Sequence, residues 1–206
     1  MTRRPALRPA ITLTAVAALS LTACGTDDNS AKESSASPTP SSSTTSDRPR
    51  IELPSDLSYT FEWSRTGDED KDAVLADSEQ SIKAVDLAIA HQNALDGAYL
   101  YYYEGEAAAA TQEFIQAYVK AKARVTGAYR YYDASVDVSA KDNASLVYCE
   151  DQSKAYDMYL KPEKINKTSV TKNSYVLYTT QLRKNTKGVW VAEKLTSLRG
   201  SDKCQP

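Results

Sequence analysis

The sequence predicts an α+β fold with an N-terminal strand, two helices and a curved, cone-like antiparallel sheet of about four strands. Three observations predict it: apolar side chains alternate with polar ones over residues 57–64, recur at helical spacing from about 70 to 125, and alternate again after 127. Helices that precede a run of antiparallel strands usually pack together on one face of the sheet.

The first strand and the first helix follow from these spacings. Four apolar residues predict the strand: Leu57, Tyr59, Phe61 and Trp63. The first helix is predicted from about Asp70 to Tyr103, along a stripe that includes Leu75 and Ile89. Acidic residues cluster at its start, where the helix dipole favours negative charge.

The second helix is predicted from about Ala107 to Val125, after a turn at residues 104–106. Five residues at helical spacing are expected to face the core: Ala110, Phe114, Ala117, Ala121 and Val125. Gly127 is expected to end this helix, because glycine is common just beyond a helix C-terminus.

The remaining chain is predicted to form antiparallel strands. Alternation indicates strands over residues 132–138 and 144–150, with a shorter run over 155–160. Residues 174–183 and 189–198 predict a hairpin across Asn185-Thr186-Lys187-Gly188.

The N-terminus has the three parts of an export signal. Arg3, Arg4 and Arg8 precede a 12-residue apolar stretch that ends at Leu21. The next residues complete Leu21-Thr22-Ala23-Cys24, which resembles the lipobox of bacterial lipoproteins. Residues 1–23 are therefore expected to be a signal peptide, and Cys24 to be acylated and to hold the protein on the outer face of the cytoplasmic membrane. An ordinary cleaved signal is the alternative, and the export route, general or twin-arginine, stays open.

Residues 24–50 are predicted to be a disordered tether. Ser, Thr and Pro make up 15 of the 26 residues that follow Cys24, and none of the 26 is aromatic or a large aliphatic. Such a segment buries too little apolar surface to offset the entropy of ordering it. Residues 51–206 are then one folded domain, of a size that can stand alone.

Composition excludes several classes of protein. The chain has 206 residues and a net charge of −2, without the basic excess of a nucleic-acid-binding protein. Three cysteines and one histidine are too few for a zinc or iron–sulfur site. Glycine-rich nucleotide-binding loops are missing, so the sequence predicts no metal and no cofactor.

The cysteines predict one disulfide. With Cys24 acylated, Cys149 and Cys204 remain, and two cysteines of an exported protein are expected to pair. The alternative, a reactive redox pair, needs an activating motif such as Cys-X-X-Cys, which the sequence lacks.

Scaffold and turn residues over about 57–204 carry a family resemblance: Thr66-Gly67-Asp68, Thr126-Gly127, Tyr131-Tyr132, Cys149-Glu150-Asp151-Gln152-Ser153, Gly188-Val189-Trp190 and Cys204. On these residues the chain resembles small uncharacterised lipoproteins of Gram-positive bacteria with a nuclear transport factor 2-like (cystatin-like) domain. The resemblance implies a cone-shaped domain at the cell envelope. Enzymes of this fold, such as ketosteroid isomerases, use a pocket carboxylate as base and a tyrosine as oxyanion donor.

Tyrosine is the over-represented residue, with fourteen copies against two of phenylalanine. Tyrosines offer flat apolar faces with polar tips, which suit sugar rings and aromatic ligands. Seven aromatic residues are the candidates for a pocket at the mouth of the cone: Tyr99, Tyr102, Tyr129, Tyr132, Tyr148, Tyr178 and Trp190. The alternative is that most of them pack at the edge of the core.

The function expected from the sequence is a non-catalytic ligand-binding or protein-interaction module. Its expected partners are the membrane, through the lipid on Cys24, and an envelope protein or cell-wall glycan, with the chain itself a monomer. Two alternatives stay open. One is a pocket enzyme with an Asp base and a Tyr oxyanion donor. The other is a structural partner of an envelope complex, which predicts an exposed apolar patch on the sheet.

Overall fold

A computed structural model describes residues 48–206. The predicted signal peptide, the acylated Cys24 and the tether up to residue 47 lie outside the described residues. The helices are α1 (Glu69–Ala90), α2 (Gly97–Leu100) and α3 (Gly105–Ala121). The strands are β1 (Leu57–Phe61), β2 (Ala123–Ala140), β3 (Asn143–Leu160), β4 (Glu163–Asn166), β5 (Tyr175–Lys184) and β6 (Trp190–Arg199).

The predicted α+β class is confirmed, with helices packed against an open sheet. The strand order is β1-β2-β3-β5-β6, and β4 pairs with the end of β3. The described sheet thus holds the N-terminal strand β1 and five antiparallel strands, where about four were expected. The sheet is also mixed, because β1 runs parallel to β2. The three helices lie between these two strands in the chain, and a helical crossover of this kind joins parallel strands.

The first helix is shorter than its periodicity predicts. α1 ends at Ala90, and residues 91–96 separate it from the single turn of α2. Gln92 adopts a positive φ of 54°, a backbone conformation outside the right-handed helical region, so neither helix can continue through it. Asp96 then caps α2 through a hydrogen bond that its side chain accepts from the Ala98 backbone N–H.

The prediction of which face of the second helix packs on the core is wrong. Ala107, Thr111 and Ile115 of α3 are buried, whereas Phe114 is 52% exposed. Ala110, Ala117 and Ala121 are exposed as well. Four consecutive alanines at residues 107–110 leave the apolar pattern nearly equal on two faces, so the neighbouring elements choose which one is buried.

Gly127 does not end a helix but lies inside β2. The helix stops at Ala121, where Lys122 takes the left-handed conformation, and the predicted helical residue Val125 is buried in the strand. Gly127 has a φ of 101°, and a Cβ there would lie 2.1 Å from the Lys154 carbonyl oxygen on β3. A glycine is required because the two strand backbones approach too closely for any side chain.

The C-terminal hairpin and the disulfide are confirmed. β5 and β6 pair antiparallel across the predicted turn. Cys149 of β3 is bonded to Cys204 in the C-terminal tail, with 5.5 Å between the Cα atoms. Tyr132 packs on this disulfide and donates a hydrogen bond to the Cys204 carbonyl oxygen. The tail is therefore held on the face of the sheet opposite the helices.

In residues 48–206, no helix is long and apolar enough to span a membrane.

Candidate functional site

An aromatic cluster lies on the inner face of the sheet. β1 and its continuation contribute Tyr59, Phe61 and Trp63, because alternate residues of a strand point to the same face. The other four rings come from β2, β3 and β5: Tyr129, Tyr131, Tyr148 and Tyr178. We call these seven residues the aromatic cluster. Adjacent ring centroids are 4.7–6.3 Å apart, from Phe61–Tyr131 to Trp63–Tyr131.

The cluster is only partly buried. Tyr131 and Tyr148 are buried, while the other five rings are half-buried. Burial nevertheless raises the phenol pKa values of Tyr59, Tyr129 and Tyr178 above the ordinary range. The five half-buried rings therefore keep part of their surface in contact with solvent, although the hydroxyl groups of the tyrosines among them are strongly desolvated.

Asp86 is a buried carboxylate at the cluster. It projects from α1, and its Oδ2 accepts a hydrogen bond from the Tyr59 hydroxyl. Burial raises the Asp86 pKa to about 7, although the Tyr59 hydrogen bond opposes the shift, and the charge of Glu150 adds to it. Asp86 therefore changes its charge near neutral pH.

Glu150 is the second buried carboxylate. It lies on β3, where it accepts hydrogen bonds of 2.8 Å from the Tyr131 hydroxyl and 2.5 Å from Gln152 Nε2. Burial raises the Glu150 pKa above its usual range, and these hydrogen bonds counteract only part of the shift. The two carboxylates thus face the cluster with neutral donors as their hydrogen-bond partners.

The Asp86 pKa makes stability depend on pH. The folded pKa lies above the unfolded value of 3.8, so the carboxyl's contribution to stability is fully present below about pH 4 and is lost as pH rises through 7. We expect the free energy of unfolding to fall by about 2.5 kcal/mol from about pH 5 to pH 8. Urea titrations at several pH values measure it.

Asp86→Asn should remove most of this pH dependence, because an amide does not titrate. Glu150 has a pKa raised in the same direction and leaves a smaller residual slope. Glu113→Gln, at an exposed position on α3, is the matched control and should keep the parent slope. Equal pH profiles for the parent and Asp86→Asn would contradict the assignment.

The structure brings together some of the predicted pocket residues and separates others. Tyr129, Tyr148 and Tyr178 belong to the aromatic cluster, and Trp190 is fully buried in the same core. The other three lie elsewhere. Tyr99 and Tyr102 are buried in a second core cluster around the helices, and Tyr132 lies on the opposite face of the sheet, against the disulfide.

The sequence reasoning missed both carboxylates and two of their partners, Tyr59 and Tyr131. Asp86 occupies a helix position that looks solvent-exposed in isolation, and the polar residues from Glu150 to Gln152 indicate only a solvated turn. One signal was present for Tyr59: its alternation with serine and threonine already placed it on the inner face of the first strand. Its contact with Asp86 joins residues 27 positions apart.

A shallow groove lies between α3 and the end of β3. Its volume is about 200 Å³, and it is lined by Ala117, Tyr118, Ala121, Ala123, Asp157 and Tyr159. The Tyr118 hydroxyl donates a 2.8 Å hydrogen bond to Asp157, and Phe114 packs edge-on against Tyr118 at 5.3 Å. Three of its lining residues belong to α3, and the other three belong to β2 and β3. Within residues 48–206, no group of His, Cys, Asp and Glu side chains is arranged to hold a metal ion.

Comparisons with known proteins give no functional assignment. No family model matches the chain, and no curated protein matches it. A ketosteroid isomerase-like protein from Erwinia carotovora atroseptica is similar in structure, with 12% identity and a TM-score of 0.46 over 65% of this chain and 98% of that one. The intermembrane space region of the chloroplast protein ARC6 is similar with 13% identity and a TM-score of 0.40, over 66% and 99% of the two chains. Neither similarity assigns an activity to this chain.

Proposed function

We propose that this chain is an exported, lipid-anchored module of the cell envelope that binds a ligand or a partner protein without catalysing a reaction. Residues 1–23 would direct export, and the lipid on Cys24 would hold the domain at the outer face of the cytoplasmic membrane. The Cys149–Cys204 disulfide supports this location, because disulfides persist in oxidising compartments outside the cytoplasm.

The aromatic cluster is the observation that carries the binding function. Half-buried rings offer apolar faces, and their hydroxyl tips offer hydrogen bonds, which is the composition of a small-molecule site. Tyr129 is half-buried, so part of its side chain faces solvent.

Native mass spectrometry of the protein purified gently from its own envelope tests the binding function. We expect a reproducible added mass, which Tyr178→Ala should reduce because it removes a half-buried ring stacked 5.1 Å from Tyr148. Phe114→Ala, on the exposed face of α3, is the control and should keep the added mass. A clean ligand-free mass, with no partner found by crosslinking in the envelope, would contradict the proposal.

Cys24→Ala tests the anchor. The variant lacks the thiol that is acylated, and we expect the protein to leave the membrane fraction for the soluble fraction, because an acyl chain is the predicted means of attachment. Cell fractionation with immunodetection measures it. Cys149→Ala should stay with the membrane, and an unchanged membrane fraction for Cys24→Ala would contradict the anchor.

The enzyme alternative now has a specific pair, Asp86 and Tyr59. A base and an oxyanion donor must both reach the substrate, but in this structure the Tyr59 hydroxyl donates directly to the Asp86 carboxylate. The two groups satisfy each other instead of converging on a third atom. This geometry favours binding over catalysis.

A further inference from the structure

The two carboxylates of the aromatic cluster lack a cationic partner. Buried carboxylates in proteins are normally paired with a cation or a metal. Within residues 48–206, neither Asp86 nor Glu150 forms an ion pair, and their hydrogen-bond donors are tyrosine hydroxyls and the Gln152 amide. Arg199 is linked to Glu150 only through Gln152. Its guanidinium donates to Gln152 Oε1 and to the Asn173 carbonyl oxygen, while Gln152 Nε2 donates to Glu150.

A buried indole N–H in the same cluster is also unpartnered. The Trp63 ring contacts Tyr131 and Tyr148, and its Nε1 is buried without a hydrogen-bond partner among the described residues. Buried polar groups without partners are rare in folded proteins, and this one lies in the cluster that holds the unpaired carboxylates.

Aromatic faces in the cluster attract positive charge. A cation within about 6 Å of a ring centroid is drawn to the negative face of the ring. One ammonium already occupies such a position, because Lys83 Nζ lies 4.9 Å from the Phe61 centroid. Tyr59 and Tyr131 of the cluster contact Asp86 and Glu150, and neither carboxylate forms an ion pair within residues 48–206. The charge of Arg199 lowers the Glu150 pKa without forming an ion pair with it.

We propose that the aromatic cluster binds a small organic cation, with the ammonium group held between the aromatic faces and the carboxylates of Asp86 and Glu150. The inference deepens the proposed function and rests on it, because it names the ligand class of the same site. A neutral sugar or aromatic ligand would pack against the rings but would leave both buried carboxylates without a counter-charge. A cation meets both requirements.

The test compares choline with 3,3-dimethylbutan-1-ol, which has the same shape and no charge. The full chain carrying Cys24→Ala is titrated with each probe, and the two tryptophan indole N–H signals are followed by NMR. Trp63 lies in the cluster and reports binding, whereas Trp190 is fully buried and serves as the internal reference. We expect choline to shift the Trp63 signal at a concentration roughly tenfold lower than the neutral probe does.

Two isosteric variants test the carboxylates. Asp86→Asn and Glu150→Gln each remove a buried charge, and each should weaken choline binding roughly tenfold while leaving the neutral probe unchanged. Glu62→Gln is the matched control, because Glu62 is exposed, comes directly after Phe61 at the end of β1, and pairs with Arg130. It should bind choline as the parent does.

The outcomes separate the two proposals. If the neutral probe binds as tightly as choline, the cation inference is overturned and the binding function stands. If neither probe shifts Trp63, the cation inference is also overturned, and the binding function is decided by the native mass measurement. Equal choline affinity in the parent and both isosteric variants overturns the role of the carboxylates.

Discussion

Asp77→Ala should lower the free energy of unfolding by about 2–4 kcal/mol, because it removes the acceptor of a buried strand N–H and the partner of the Arg48 guanidinium. The Asp77 side chain is only 3% exposed and accepts a hydrogen bond from Arg48. Its other oxygen accepts a 2.8 Å hydrogen bond from the Trp190 backbone N–H. The substitution leaves the partly exposed Arg48 guanidinium and the buried Trp190 N–H without this acceptor.

The same contact ties the start of the described chain to the core. The Tyr102 hydroxyl contributes to the raised pKa of Arg48, and Ile51 and Leu53 pack on the core cluster around the helices. Arg48→Ala should destabilise the protein toward the lower end of that range, because its side chain is 35% exposed. Arg48→Lys keeps the charge and should recover part of the loss.

Urea unfolding followed by tryptophan fluorescence measures both substitutions. Arg50→Ala is the control, since Arg50 pairs only with Glu52 and both side chains are exposed. Unfolding free energies for Asp77→Ala and Arg50→Ala that agree within error would show that the buried pair does not stabilise the fold.

Removing the disulfide should cost about 4 kcal/mol. Cys149 and Cys204 are 55 positions apart, and closing a loop of that length restricts the unfolded chain by about this amount in the chain-entropy model. The double variant Cys149→Ala/Cys204→Ala avoids a free thiol, and its melting temperature is compared with that of the oxidised parent. Both cysteines are buried, so the substitution also leaves a small cavity.

The Tyr132 contact gives a control for the tail. Tyr132 donates to the Cys204 carbonyl oxygen, so Tyr132→Phe removes this hydrogen bond and keeps the disulfide. It should cost much less, about 1 kcal/mol. A melting temperature for the double cysteine variant that equals the parent's would contradict a stabilising role for the disulfide.

Local pattern predicted most elements of the fold. The alternation of Leu57, Tyr59 and Phe61 predicted β1 and its inner face, and the turn at residues 185–188 predicted the last hairpin. The Cys149–Cys204 bond followed from the predicted compartment and the cysteine count. These features depend on short-range spacing and composition, which a sequence displays directly.

The candidate site was predicted only in part. Tyr129, Tyr148 and Tyr178 were named as candidates and do lie together, but Tyr132 points to the other face of the sheet. Register shifts in β2 on both sides of Tyr132 alter its pairing with β3. A β-bulge changes the face of the sheet to which the following side chains point. The alternation of apolar and polar residues in the sequence does not show where such a bulge lies.

The sequence by itself determined the fold class, the hairpin and the pairing of the cysteines, because each depends on local periodicity or on counting. Only the tertiary structure decided that β1 runs parallel to β2, that Phe114 faces solvent, and that Asp86 meets Tyr59. Each of these depends on which distant surfaces pack together. Burial of one helix face against the sheet is a property of the whole core, and that packing turns Asp86 from a helix carboxylate into part of a binding site.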